Sequence, residues 1–322
     1  MLASIVIRTL NEASYLDDLL TMIARQQAAD LQHEVVLIDS GSTDGTVEIA
    51  RHHGCRITTI AKEEFSFGRS LNRGCDFARG EILVFISGHC IPVDEHWLQR
   101  LCQPLIEGRA DYTYGRQVGD DDSYFSERRI FAKYFPETSA VPQDGFFCNN
   151  ANSAIARAAW ARHRFDEELT GLEDMALAKQ IVAAGGKVGY VAEAPVFHHH
   201  NESWASVRRR FEREALALQT IMPEVQISRL DMIRYILTSV WMDLRSARKN
   251  HNLRGHWRNI LRYRIAQYTG SYAGNHGHRR LSQSRKERFF YPSVNESDAD
   301  NAWLKPHRRP APYEGQQPAG ER

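Results

Sequence analysis

The chain has 322 residues, of which 42% are hydrophobic and 25% charged, with 41 Lys/Arg against 40 Asp/Glu. That make-up excludes a low-complexity chain and allows one large globular domain or a domain with an appendage. The near-neutral total hides an asymmetry: residues 1–203 carry 19 Lys/Arg and 29 Asp/Glu, residues 204–322 carry 22 and 11. An acidic body suits a scaffold around a divalent cation, and a basic remainder suits an anionic surface such as membrane lipid, a phosphate-bearing acceptor or nucleic acid.

The first segment, Ser4 to Arg8, is a short buried strand, and Ser14 is placed to cap the helix whose Leu16, Leu19, Leu20 and Ile23 recur at helical spacing. Val35 to Ile38 is the second strand, followed by a helix from Thr46 that stops near Gly54. Arg56 to Ile60 is a third strand, Phe67 to Ala78 a helix with Gly80 beyond its end, and Glu81 to Ser87 a continuous apolar strand. A helix around Trp97, Leu98, Leu101 and Leu105 follows. This alternation predicts an α/β fold with a mostly parallel sheet covered on both faces by helices.

Beyond Tyr112 to Val118, a further strand, regularity fades. Gly119 to Asp144 reads as a polar, irregular acceptor-side loop, and Asn149 to Ala156 as a strand returning to the sheet. Asp174 opens a helix ending at Gly185-Gly186, then come two short strands, Lys187 to Val191 and Val196 to His198. Ser203 caps a basic helix, and Arg229 to Lys249 forms an amphipathic one. The expected division is 1–222 as the main domain, 223–290 as a basic helical extension and 291–322 as a disordered tail. Five cysteines without a C-x-x-C pair read as reduced thiols of a cytosolic protein. No apolar run approaches the roughly 20 residues of a membrane span, and the N-terminus starts directly as a strand.

Chemistry concentrates at strand ends. In VVLIDSGSTDGT, Val35 to Thr46, a buried strand ends in Asp39 and a tight turn leads into a helix. Ligands of open α/β sheets bind at such ends. A carboxylate there accepts hydrogen bonds from a base or ribose and repels phosphate. Thr9, Asn11, Glu12, Asp39 and Asp44 form a polar cluster at the ends of the first two strands; helix capping accounts well for Asp44 and poorly for Asp39. His89 closes the apolar strand in Ser87-Gly88-His89-Cys90. In Phe197 to Ser203, extended alternation sends His198 and His200 to one face and His199 to the other. Together with His89 and an acid they would form a candidate metal site for Mn²⁺-like or softer ions. Glu173 and Asp174 stand at a helix N-terminus, where a carboxylate can serve as general base or simply as a cap.

The ordered motifs SIVIRTLNE, VVLIDSGSTDGT, EEFSFGRSLNRGCDFARGEILVFISGHCIP, FFCNNANSAIAR, GLEDMALAKQI and VFHHHNESWASVRRRFEREALAL resemble family 2 glycosyltransferases of the GT-A fold, within them bacterial rhamnosyltransferase-like enzymes of surface-polysaccharide synthesis. The resemblance covers about residues 3 to 222. It implies inverting transfer of a sugar from a nucleotide-diphospho-sugar donor, of UDP, GDP or TDP type, to a hydroxyl of a glycan or lipid-linked acceptor. Thr9, Asn11, Glu12 and Asp39 would hold the nucleoside, Arg69 and Asn72 would line the donor pocket, and Asp174 would be the base. Ser87 and His89 fall on the family's metal-binding Asp-x-Asp pair, and His198 on a late histidine that reaches the metal or diphosphate. The missing acid pair leaves two arrangements open: Mn²⁺ or Mg²⁺ held through the histidines, or neutralisation of the leaving group by Arg69 and other cations without metal. A catalytically impaired sugar-nucleotide or polyanion-binding protein is the alternative. A nucleotidyltransferase would show a Gly-rich phosphate loop with a Lys, which Thr9 to Tyr15 does not. No nucleic-acid partner is expected. The basic remainder suggests a cytoplasmic protein peripheral to the inner membrane face.

Overall fold

The computed structural model describes residues 1–120, 123–200, 202–249, 253–277 and 289–290. Its strands are β1 (Leu2–Thr9), β2 (Gln32–Asp39), β3 (Arg56–Thr59), β4 (Ile82–Ser87), β5 (Cys90–Pro92), β6 (Tyr112–Val118), β7 (Asn152–Ala156) and β8 (Val188–His198). Its helices are α1 (Ala13–Ala24), α2 (Thr46–His52), α3 (Phe67–Phe77), α4 (Trp97–Ile106), α5 (Phe125–Tyr134), α6 (Arg157–His163), α7 (Glu173–Ala183), α8 (Trp204–Ile221), α9 (Arg229–Lys249) and α10 (Leu253–Asn275).

The strands form one sheet in the order β3-β2-β1-β4-β7-β6-β8-β5. The β3-β2-β1-β4 half is parallel, as the alternation of strands and helices demands. The other half is mixed, within a sheet that stays mostly parallel as expected: β7 runs antiparallel to both β4 and β6, and β5 antiparallel to β8, while β6 and β8 are parallel. The chain leaves β6 for the long excursion of residues 119–151 and re-enters from the opposite end, which reverses β7. Along β1, Ile5 and Ile7 pack with Leu16, Leu19 and Trp97 on one face, while Val6 packs with Leu71, Phe85 and Trp160 on the other. Burial on both faces is why the strand reads as a nearly unbroken apolar run. Register sets Thr9 beside Asp39 and Arg8 beside Ser87, so the carboxyl ends of β1, β2 and β4 come level.

Three local expectations change. The segment 119–144 contains α5, whose Ser126 and Glu127 are buried among polar partners. The two short strands around residue 193 are one strand, β8, whose ladder with β6 is interrupted between Gly115 and Gln117. Ser14 does not cap α1; Glu12 occupies that position without a side-chain cap, and Ala13 donates its N–H to Asp44 Oδ2 at 3.0 Å. Ser203 does cap α8, accepting from the Ser206 N–H at 3.2 Å.

The expected tail, 291–322, lies outside the described residues. Within 223–290, α10 packs against α8, and a buried charge network ties α9 and α10 to α5. Arg264 grips Asp243 with two N–H bonds of 2.8 and 3.1 Å, and Ser126 of α5 donates to the same carboxylate at 2.7 Å. A buried carboxylate needs this many partners, because an unpaired charge there is strongly destabilising. Gly270 and Gly274 let α10 lie directly on α8: a Cβ would come within 2.3 Å of the Arg208 carbonyl oxygen or 2.1 Å of that of Glu212. Gly274→Ala is therefore expected to destabilise the fold by about 1–3 kcal/mol, since backbone and not a flexible side chain must yield. A denaturant midpoint unchanged from the native chain would refute the close approach.

Candidate active site

A cleft opens at the carboxyl ends of β1 and β4. It is lined by Arg8, Thr9 and Glu12 from the first strand and its turn, by Ser40, by Ser87, Gly88 and His89, and by Asn150. Phe65, Phe67 and Phe290 form an aromatic wall, their rings meeting edge to face at 5.4–5.5 Å. The guanidinium groups of Arg8 and Arg213 each lie 4.6 Å from the Phe67 ring centre. Cations thus lie against the aromatic wall itself.

The residues expected to hold a nucleoside divide. Thr9 and Glu12 face the cleft. Asp39 is buried next to it, and its oxygens are engaged by Thr9 Oγ1 at 3.2 Å and by the N–H groups of Gly41 and Ser42 at 2.9 and 3.0 Å. It shapes the Ser40–Ser42 turn. Asn11 sits in the left-handed region at φ 59° and accepts from the Thr43 N–H at 2.9 Å, locking the same turn against β1. Such a conformation persists only where the surroundings impose it. Asp44 is not the cap residue of α2; that is Gly45. Asp44 clamps the starts of two helices, accepting from Ala13 N, Thr46 N and Thr46 Oγ1. Partial burial opposes its charge, but these hydrogen bonds prevail and hold its carboxyl below the usual range.

Arg69 and Asn72 do not line the described cleft. Arg69 Nε donates to Glu167 at 2.8 Å. The Asn72 amide donates to Phe165 O and Glu167, and its oxygen accepts from Trp160 Nε1 and Phe165 N. Its hydrogen-bonding capacity is spent on pinning α3 to the 165–167 loop.

The histidines do converge. His198 and His200 share a face with ring centres 4.0 Å apart, and His89 lies 5.1 Å from His198 and 5.7 Å from His200. His199 points the other way, stacked on Tyr15 and bonded to Asp120. Each member of the trio has Nδ1 engaged: His89 by Glu12 at 3.0 Å, His198 by the Gln117 oxygen at 2.7 Å, His200 by Glu127 at 2.8 Å. The nitrogen remaining on each ring is Nε2, and His198 Nε2 is buried with no hydrogen-bond partner. One ring nitrogen from each of the three lies within 4.8 Å of the others. Burial, with its histidine neighbours, drives the His198 pKa well below normal, so its imidazole is neutral and its lone pair available. At His89 burial works in the same direction, but the Glu12 carboxylate outweighs it and raises the pKa. A histidine whose second nitrogen is held by a carboxylate or amide is the usual posture of a metal ligand, so the donor set fits a divalent cation. A second acidic group, Glu127 with Glu202, is neutralised by Arg210, which binds both.

Asp174 and Glu173 open α7 behind Asn150. Leu172, just before them, is held at φ 56°. Asp174 accepts from the backbone N–H groups of Asn150 and Met175, each at 2.8 Å. Burial, then the charge of Glu173, raises its pKa to about 7, against the pull of those N–H bonds and of Arg8. Arg8 lies 3.6 Å from Glu173. Sequence reasoning did not single out Arg8, Asn150, Gln117 or Glu127. Asn150 was visible in FFCNNANSAIAR; Glu127 lay hidden in a segment taken for loop, though Ile130, Phe131 and Tyr134 fall at helical spacing from it.

The architecture is that of the GT-A glycosyltransferases. A mannosyltransferase from Pyrobaculum calidifontis, solved with GDP-Man and Mn²⁺, superposes with a TM-score of 0.59 at 17% identity, over 84% of this chain and 86% of that one. Glucosyl-3-phosphoglycerate synthase from Mycobacterium tuberculosis, solved with Mn²⁺, UDP-glucose and phosphoglyceric acid, gives 0.51 at 20% identity over 69% and 78%. Residues 4–168 match the profile of glycosyl transferase family 2, and the chain belongs to that family. The O-antigen chain rhamnosyltransferase WbaN of Salmonella anatum is 27% identical over 203 residues, 59% of this chain and 63% of the relative, so the match spans less than two thirds of that protein. RfbN of Salmonella typhimurium, also an O-antigen chain rhamnosyltransferase, is 26% identical over 66% of this chain and 70% of its own.

Proposed function

We propose that this chain transfers a sugar, with inversion, from a nucleotide-diphospho-sugar to a hydroxyl of a glycan or lipid-linked acceptor in bacterial surface-polysaccharide synthesis, working at the inner face of the membrane. The observation that carries the reading is the composition of one cleft: Glu12 and His89 border it on one side, and Asn150, whose amide N–H is held by Asp174, borders it on the other. The O-antigen rhamnosyltransferase relatives support the pathway class, and neighbours solved with GDP-Man or UDP-glucose support the donor class.

In this reading Phe65 offers its ring to the nucleobase, and Thr9 and Ser40 offer hydroxyls to the ribose. The acceptor oxygen attacks the anomeric carbon. The bond from that carbon to the phosphate oxygen breaks, its electron pair leaves with the nucleoside diphosphate, and the acceptor proton passes to Asp174. Charge growing on the leaving group meets Arg8, already oriented by Glu173 and Phe67. His89, His198 and His200 would hold a divalent cation, which when bound supplies further charge neutralisation at the diphosphate. Residues 223–275 act as an acceptor-side appendage to the transferase body.

A screen of UDP, GDP and TDP sugars by thermal shift, with and without Mn²⁺, tests the reading. One nucleotide class at about 100 times its Kd is expected to stabilise the fold by about 2.7 kcal/mol. If every donor leaves the melting temperature where it was, the impaired or polyanion-binding alternative takes its place.

A further inference from the structure

We propose that the outward face of α9, continued by the exposed stripe of α10, docks this enzyme on an anionic lipid bilayer. The inference deepens the membrane part of the proposed function. In α9 the residues Leu230, Ile233, Leu237 and Trp241 recur at spacings of three, four and four, so they share one face of the helix. Leu230 is 79% exposed, Leu237 65% and Trp241 60%. In α10, Trp257, Leu261 and Ile265 recur every four residues and are likewise exposed. Large apolar side chains gathered in this way are rare on a surface that meets only water.

The charges around them select the partner. Arg234, Arg245, Arg248 and Lys249 are exposed on α9, and Arg254, Arg258 and Arg262 on α10. Arg245 and Arg258 lie 5.3 and 5.2 Å from the ring centres of Trp241 and Trp257. The acids of α9 stay out of this set: Asp243 is buried against Arg264, and Asp231 is bonded to Ser228. Among the described residues α10 has none. Apolar side chains with aromatic anchors, fringed by cations, describe a helix that lies in the lipid headgroup boundary. No described helix is long and apolar enough to cross a membrane, so the geometry is that of lying on the bilayer and not spanning it. A second copy of the chain fits this face poorly, because pairing it with itself would set arginine rows against each other.

The test is flotation of the full chain with vesicles of phosphatidylcholine alone and of phosphatidylcholine with phosphatidylglycerol. The native chain is expected to float with the anionic vesicles and to stay behind with the neutral ones. Each exposed cation removed by substitution to Ala should lower partitioning about fivefold, less so in high salt. The double variant Leu237→Glu with Trp241→Glu should lose flotation while keeping the native melting temperature, because both side chains point to solvent. Failure of the native chain to float, or flotation of the double variant, overturns the proposal. So does a solution dimer that the double variant splits, which would give the face to a second copy. Donor binding, read separately by thermal shift, distinguishes this failure from failure of the transferase reading.

Discussion

Asp174→Asn is expected to bind the sugar nucleotide as the native chain does and to transfer it roughly 10²–10⁴-fold more slowly, the usual contribution of a positioned general base. The carboxylate is buried behind Asn150, which lines the cleft and whose backbone N–H it holds. Its hydrogen bonds go to Asn150 and Met175 and not to the groups proposed to hold the donor, so substrate affinity should be spared while the chemical step suffers. The same group sets the pH dependence. A base must be ionised, and burial with the charge of Glu173 raises the Asp174 pKa to about 7. Below that value kcat/KM should fall about tenfold for each pH unit, and above it the profile should flatten. Arg8→Ala removes a cation that favours the ionised form, so the same limb should move to higher pH. A native profile flat from pH 5 to 8, or Asp174→Asn at native speed, would show that another group takes the proton.

The second large effect concerns the imidazoles. His198→Gln is expected to abolish specific binding of a divalent cation, and Glu12→Ala or Gln117→Leu, which release the far nitrogen of a ligand ring, to weaken it about 10–100-fold. Three imidazoles without a carboxylate should prefer Mn²⁺ or a softer ion over Mg²⁺. Isothermal titration of each ion into native and variant proteins measures this without reference to turnover. The melting temperature of His198→Gln without metal shows whether the variant still folds. Tighter binding of Mg²⁺ than of Mn²⁺, or an unaltered affinity in His198→Gln, would remove the trio from the reading.

How far the sequence reaches can be judged element by element. β1, β2 and β4 are legible because strands buried on both faces must be nearly all apolar, and Asp39 and Ser87 then mark their ends. The shared face of His198 and His200 follows from strand alternation alone. α5 is only half legible: Ile130, Phe131 and Tyr134 keep helical spacing, but its inward side also carries Ser126 and Glu127, polar groups whose burial makes sense only once Asp243, Arg210 and His200 arrive from distant segments. The partners of Asn72 are hidden for a related reason: no local pattern tells that Trp160 and Phe165 use up its amide.

Glu127 carries one more implication. Its Oε1 receives His200, Arg210 and, at 3.4 Å, the hydroxyl of Tyr263 from α10. A histidine of the transferase body is thus aligned by a carboxylate that the C-terminal helices help to hold in place. The two parts are not interchangeable cassettes. Grafting these helices from a relative onto this body, or trimming the chain at residue 222 to obtain a smaller catalyst, would leave β1 to β4 untouched and yet unsettle the aim of His200. Whatever recombines with this sequence in evolution or in the laboratory must therefore bring its own match for Glu127.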